Sequence, residues 1–469
     1  MSALSDTEIT AGQRAAAELR SRLGDAVALD DATRSAHRAD RSGVVPTGLP
    51  DAVVRARNTD DVVTALAIAD SLRVPVVTRG AGTGLAGGAS AGTGTVVIST
   101  EAMTAIHEVD RADRIARVQA GVLTAAVDTA AARVGLRYAP DPGSVAISTV
   151  GGNIATNAGG LRCVKYGVTK DSVLGLQAVL PGGRIVETGT RTVKGVAGLD
   201  LTSLLTGSEG TLGIITEATL RLRPIGDDVA TVVATFGSAV AAGDAVAAVM
   251  DLGVVPLVAE LLDEVCLRAL DAWKGTTLRS AGNTLLLFQY DGADAASASA
   301  RAASVLRRHG ATHVSTGDDG STDLIAARRD ALPALERLGR VLIEDVAVGP
   351  SKVSQMLSRI EEIGRSHGLV IATMAHAGDG NLHPIIVIDR TADGAGEPDG
   401  IPASVWRAAD EIFGSALELG GTITGEHGIG ILKRAWLRTE IGDVAADLMS
   451  GIKSVFDPHG IMNPGKALA

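Results

Sequence analysis

The segment ATMAHAGDGNLHPIIVID carries His376 and His383 on either side of the turn-rich stretch AGDGN. One apolar run ends at His376 and another starts around His383, so the two are expected to pair as a hairpin with both imidazoles at the same end of one sheet. Further along, GEHGIG sets Glu426 and His427 between glycines that let the backbone approach a buried ligand. Two imidazoles and a carboxylate, with open positions left for substrate, form a catalytic set for zinc that also suits manganese or iron. A histidine beside a turn can equally cap a loop or face solvent, so spacing alone leaves both readings open.

Glycine is the second signal: 57 of 469 residues, gathered in clusters, against a usual share of about 7%. The clusters are RGAGTGLAGGASAGTG from Arg79, PDPGSVAISTVGGNIATNAGG from Pro140, and LTGSEGTLGIIT from Leu205. Gly82, Gly84 and Gly87 spell GxGxxG, yet the chain runs on through GASAGTG into the strand-like TVVIS. The nicotinamide fingerprint needs a helix N-terminus aimed at pyrophosphate, and none can follow here. Bare backbone N–H groups still make an anion cradle, and pyrophosphate is its natural guest.

These groups need a scaffold. Residues 1–45 read as a helical lead-in. AVVRA from Ala52 reads as a strand, and Thr59 is the expected N-cap of a helix with Asp60 and Asp61 in its first turn. Val62, Leu66 and Ala69 form that helix's apolar stripe, and the strands PVVT and TVVIS follow. After Pro224 Ala-rich helices alternate with strands such as NTLLLFQYDG, and GAGEPDG at 394–400 reads as a surface loop. A chain longer than the ~250–300 residues one core supports should divide. The expected divisions are 1–45, 46–224, 225–415 and a Gly-rich segment, 416–469.

With 43 Lys+Arg against 54 Asp+Glu and only 3 Trp, 3 Tyr and 4 Phe, the chain lacks both the charge and the stacking surface for nucleic acid. Cys163 and Cys266 are its only cysteines, which excludes a Cys-ligated iron–sulfur cluster, a Cys₄ zinc site and a disulfide framework. No run is long enough to span a bilayer and no signal-peptide core is evident, so a soluble, cytoplasmic protein is expected.

PVVTRGAGTGLAGGAS, PDPGS, TVGGNIATNAGG and GSEGTLGIITEATL together resemble the FAD-binding domain of the vanillyl-alcohol oxidase and para-cresol methylhydroxylase (PCMH) superfamily. Within it the chain is similar to the D-2-hydroxyacid dehydrogenases: D-lactate dehydrogenases, the D subunit of glycolate oxidase, and D-2-hydroxyglutarate dehydrogenase. The similarity runs from about Pro46 to Lys466. It implies an α+β fold with a PCMH-type FAD-binding domain, an α/β cap domain and a C-terminal helical segment returning to the flavin.

By that resemblance Arg79, Gly80, Ala81, Gly82, Thr83, Gly84 and Leu85 would line the FAD pyrophosphate. Asp141, Gly143 and Ser144, with Gly151, Gly152, Asn153, Ala155 and Thr156, would run along the flavin and its ribityl chain. Glu209, Gly213 and Ile215 would complete the pocket, and the NPGK tail would bring Asn463 and Lys466 back to it. The first loop has no histidine, which implies noncovalent FAD. HxGDGNxH and GEHG resemble the family's metal and catalytic segments: His376, His383 and Glu426 match the ligands of a divalent ion, zinc or manganese, and His427 matches the base.

Oxidising a 2-hydroxy acid requires loss of the hydroxyl proton and of the Cα hydride while the carboxylate is held still. A guanidinium suits the carboxylate, and LIAARRDAL offers Arg328 and Arg329. Relatives commonly place Trp three residues before the substrate arginine; Ile325 stands there, and matching that frame selects Arg328. Gly349, after IEDVAV, likewise stands where the family usually has Pro. The implied reaction takes a small D-2-hydroxy acid to the 2-oxo acid. D-lactate or glycolate is favoured over D-2-hydroxyglutarate, because Leu332 and Ile385 add no polar contact for a second carboxylate. The electrons would leave to a quinone, an electron-transfer flavoprotein or a partner subunit; a homo-oligomer is left open. The alternatives are a flavin-fold transferase related to alkylglycerone-phosphate synthase and a non-enzymatic metal-binding module.

Overall fold

The computed structural model describes residues 10–192, 194–226, 228–317, 321–388 and 401–468, the side chains of 321–325 excepted. The expected loop at 394–400 lies outside the described residues.

The first sheet carries the first glycine loop. Strands Ala52–Arg55 and Val76–Arg79 both pair in parallel with Val96–Ser99, and the helix Thr59–Leu72 connects the first two. Its cap is Asn58 rather than Thr59: Asn58 is extended, and its side chain accepts the Asp61 N–H. Val62, Leu66 and Ala69 are buried as their stripe requires. The lead-in is part of this unit. Its helix Ala11–Leu23 buries Ala15 and Leu19 in the same core, and Val27–Ala28 pairs antiparallel with Ala52–Arg55. The far end of the chain joins too: the Val76 N–H donates to Ile461 O at 2.7 Å and the Asn463 N–H donates to Val76 O at 2.8 Å.

The second sheet is antiparallel, ordered Ile106–Asp110, Ile115–Gln119, Ile214–Arg221, Val173–Leu180, Arg184–Gly189. Ala116, Val118, Leu176, Ala178 and Ala218 pack against Val150 and Ile154. Those two belong to a short helix, Val150–Thr156, inside the glycine-rich stretch. Thr149 caps it by accepting the Gly152 N–H, and Gly151 is needed because a Cβ there would stand 2.6 Å from Ala120 Cβ.

The third sheet has eight strands and starts at Val229, just past the expected boundary. Its order is His313–Thr316, Val229–Phe236, Thr284–Asp291, Val258–Leu262, Val370–His376, Asn381–Ile388, Arg340–Ile343, with Val346–Ala347 also pairing on Asn381–Ile388. Alternation divides its residues. Leu261, Leu286, Phe288 and Ala375 face a core shared with helices Ala239–Met250, Ala295–Arg308, Val353–His367 and Ala403–Glu418. Leu262, Leu285, Leu287 and Met374 face the opposite way, toward helices Glu264–Lys274 and Ser321–Glu336. Among the described residues no helix is long and apolar enough to cross a membrane.

Candidate active site

Between the first two sheets and the third lies a cavity of about 790 Å³, toward the upper end of typical small-molecule sites. Its wall on the glycine-loop side includes Gly80, Ala81, Gly82, Thr83, Gly84 and Leu85. Among the described residues the amides of this loop have no protein acceptor, so their N–H groups remain for a ligand. Asp141, Gly143, Ser144, Gly151, Gly152, Asn153, Ala155, Thr156, Gly213 and Ile215 continue the wall. A long cleft floored by glycine backbone and unspent amides fits a dinucleotide pyrophosphate and flavin.

Two residues expected at the flavin, Arg79 and Asn463, do not line the cavity. Arg79 does not line the cavity: its guanidinium folds behind the loop and donates to Ala39 O at 3.0 Å. A Cβ at Gly82 would stand 2.0 Å from it. Asn463 is also behind the wall, its Nδ2 donating to Gly88 O at 3.0 Å and Glu209 O at 2.7 Å. Lys466 donates to Gly88 O at 3.1 Å and also to Ser90 O. The tail therefore braces the loop instead of touching the cavity. Glu209 does reach the cavity, and it ties in the last segment by accepting the N–H groups of Ile429 at 2.7 Å and Gly430 at 2.9 Å. Burial pushes its carboxyl up to about 7, against the pull of those two N–H groups.

The cap side of the same cavity holds the imidazoles. In the hairpin His376 pairs with Asn381 and Met374 with His383, so both histidines arrive at one end of the sheet. Their rings meet edge to face at 5.2 Å, and His427 stacks on His383 at 5.0 Å. One atom collects all three: Glu426 Oε1 lies 3.3 Å from His383 Nε2, 3.5 Å from His376 Nε2 and 3.8 Å from His427 Nε2. Burial alone would raise the Glu426 carboxyl, but His376 and His383 hold it well below the usual range. Burial likewise opposes charge on His376, yet Glu260 and Glu426 on either side hold it well above. The pocket thus attracts positive charge, and the donor set His376, His383 and Glu426 fits a divalent ion. Burial pushes His427 down to about 4, leaving its imidazole neutral at pH 7. Of the other histidines, His107 pairs with Glu217 and His459 with Asp70. Both cysteines are free.

Models of two families match this chain: the FAD binding domain over residues 50–189, and FAD linked oxidases, C-terminal domain, over 226–467. The chain belongs to the FAD-linked oxidases. It is 40% identical over 427 residues to glycolate oxidase subunit GlcD of Bacillus subtilis (strain 168), covering 90% of this chain and 89% of that one. To D-lactate dehydrogenase of Archaeoglobus fulgidus it is 36% identical over 423 residues, covering 89% and 91%. The crystal structure of p-cresol methylhydroxylase shares the fold, with a TM-score of 0.78 at 17% identity and 98% of each chain covered. This is an FAD-dependent oxidoreductase with the PCMH-type architecture that its glycine loops suggest.

Two acids of this FAD-linked oxidase escape a reading of motifs. Asp345, fully buried, accepts four hydrogen bonds: from Asn381 Nδ2 at 2.7 Å, Thr424 Oγ1 at 2.7 Å, Glu426 N at 3.0 Å and His427 N at 2.9 Å. It therefore fixes the turn that presents Glu426 and His427. Burial would raise its carboxyl, but His427, Lys433 and His383 hold it below the usual carboxylate range. Glu260 lies beside His376 and Arg328. The available signal was an acid within an apolar strand, in PLVAELL and in VLIEDVAV, since an unpaired charge is rarely buried. Arg328 and Arg329 both line the cavity, Arg328 the more buried of the two and Arg329 exposed.

Proposed function

We propose that this FAD-linked oxidase converts a small D-2-hydroxy acid to the 2-oxo acid, D-lactate or glycolate before D-2-hydroxyglutarate. The observation that carries the reading is the convergence of three imidazole Nε2 atoms on Glu426 Oε1, in a cavity whose other wall is a glycine loop with unspent amides. Arg328 binds the substrate carboxylate through its planar guanidinium and orients Cα. Neutral His427 takes the hydroxyl proton at Nε2. His376, His383 and Glu426 hold a divalent ion, zinc or manganese, which when bound lowers the pKa of the substrate hydroxyl. Noncovalent FAD, when bound along Gly80–Leu85 and the 141–156 wall, supplies the hydride acceptor. Leu332, on the cavity wall, adds no polar contact of its own for a second carboxylate, in keeping with a short monocarboxylate.

The electron acceptor we infer is a partner subunit, a quinone or an electron-transfer flavoprotein, because two free cysteines cannot hold a relay cluster. The naming of a relative as a subunit of glycolate oxidase supports the first. A cytoplasmic location is part of the same proposal. Steady-state assays with an artificial dye acceptor, trapping pyruvate from D-lactate or glyoxylate from glycolate, test the reaction. Formation of neither oxo acid by flavin-loaded protein supplied with zinc or manganese would reject it.

A further inference from the structure

Glu260 connects two parts of the site that lie far apart in sequence. It stands on the strand Val258–Leu262 opposite His376 in the antiparallel ladder, and its side chain is 4% exposed. Oε1 lies 2.6 Å from His376 Nδ1, and Oε2 accepts the Arg328 Nε–H at 2.6 Å. An ionised carboxylate only accepts, so both neighbours must present an N–H to it. For His376 this puts an N–H on Nδ1 and turns Nε2, the atom facing Glu426, toward the cation position. For Arg328 it engages Nε and spares the terminal nitrogens, one of which, among the described residues, meets the weakly accepting Met374 Sδ at 3.4 Å.

We propose that Glu260 is a positioning residue that sets the metal ligand His376 and the substrate-binding Arg328 in one frame, fixing the separation between cation and substrate carboxylate. The inference rests on the roles assigned to those two residues above. A carboxylate holding only His376 would tune the ion alone, and one holding only Arg328 would tune substrate binding alone. Glu260 touches both through different oxygens, so its loss must disturb both together. The backbone of strand Val258–Leu262 holds it between strands Thr284–Asp291 and Val370–His376, which leaves it little freedom to favour one partner.

The test compares Glu260→Gln with Arg328→Lys in the FAD-loaded protein. Glutamine offers one acceptor oxygen, and its NH₂ must face one of the two N–H groups. In Glu260→Gln the zinc Kd from equilibrium dialysis is expected to rise ~10- to 100-fold, the usual cost of losing a carboxylate behind a ligating histidine. The KM for D-lactate or glycolate should rise about tenfold or more in the same variant, as expected when a bound carboxylate loses an oriented partner. Arg328→Lys should raise KM and leave zinc binding at the wild-type level. Wild-type zinc affinity or wild-type KM in Glu260→Gln overturns the inference. Should that variant lose its flavin, Glu260→Asp keeps the charge but is too short to span both partners, and it is read by the same two numbers. Wild-type protein that neither binds zinc nor oxidises either acid rejects the assigned function instead, before any variant is compared.

Discussion

Glu209 Oε1 accepts the backbone N–H of Ile429 at 2.7 Å, across 220 residues of sequence. Oε2 of the same carboxylate accepts the next amide, Gly430, at 2.9 Å. The bond pair fastens the segment bearing Glu426 and His427 to the flavin-side sheets, and Asp345 fastens it to the cap. The turn bearing Glu426 and His427 is therefore held from both sides of the cavity.

Glu209→Gln should cost about 1–3 kcal/mol, since one of two buried N–H donors loses its acceptor. The sign of the pH effect follows from its raised carboxyl. The folded protein keeps the proton up to about 7, whereas the unfolded chain releases it near its ordinary value, about 4.3. Stability from this group is thus fully present below the unfolded value and is lost as pH rises through about 7. Glutamine does not titrate, so the stability gap between wild type and variant should narrow between pH 4.5 and 7, by at most ~1.4 kcal/mol per pH unit. Denaturant midpoints of both proteins across that range measure it; a gap that widens with pH contradicts the assignment.

Asp345→Asn should leave at least one of four donors unsatisfied, because an amide presents a single acceptor oxygen. Zinc affinity and kcat are both expected to fall, each by ~10- to 100-fold, as the turn carrying Glu426 and His427 loosens. Metal content after gel filtration, with kcat on the same sample, checks this. An unchanged kcat would show that the turn holds without Asp345.

His427→Ala should keep its flavin and its metal ligands while kcat falls by ~10²- to 10⁴-fold, the usual worth of a positioned base. Full turnover in that variant would remove His427 from proton transfer.

Gly151→Ala tests the packing of the helix Val150–Thr156. The added methyl would stand 2.6 Å from Ala120 Cβ and 3.0 Å from Ala120 O, and the backbone carbonyl cannot swing aside. Overpacking of this kind costs about 1–3 kcal/mol. FAD affinity, followed by fluorescence quenching on reconstitution, should weaken with it, since Gly151 and Gly152 line the cavity.

The hairpin was legible because its chemistry is local: an apolar run, a GDGN turn and a second apolar run suffice to bring His376 and His383 together. The glycine clusters were legible for the same reason. Glu260 and Asp345 were not, because their meaning lies in strand register and in a turn roughly eighty residues away from Asp345. The helix at Val150 was obscured by Gly151 and Gly152, which helix propensity opposes, although packing on Ala120 demands the first. Arg79 does not line the cavity because its side chain finds the Ala39 carbonyl in the lead-in. Nothing in the loop's own residues announces that partner.

In the proposed reaction flavin, base and cation act on one hydroxy acid in one cavity. Its most direct test is a single anaerobic mixing of the flavin-loaded protein with D-lactate and, separately, with glycolate, before and after removal of divalent metal by a chelator. The predicted result is bleaching of the yellow flavin band by at least one acid, its slowing on chelation, and recovery when zinc or manganese is returned. A band that stays yellow with both acids and metal present, or bleaches at the same rate without metal, would contradict it.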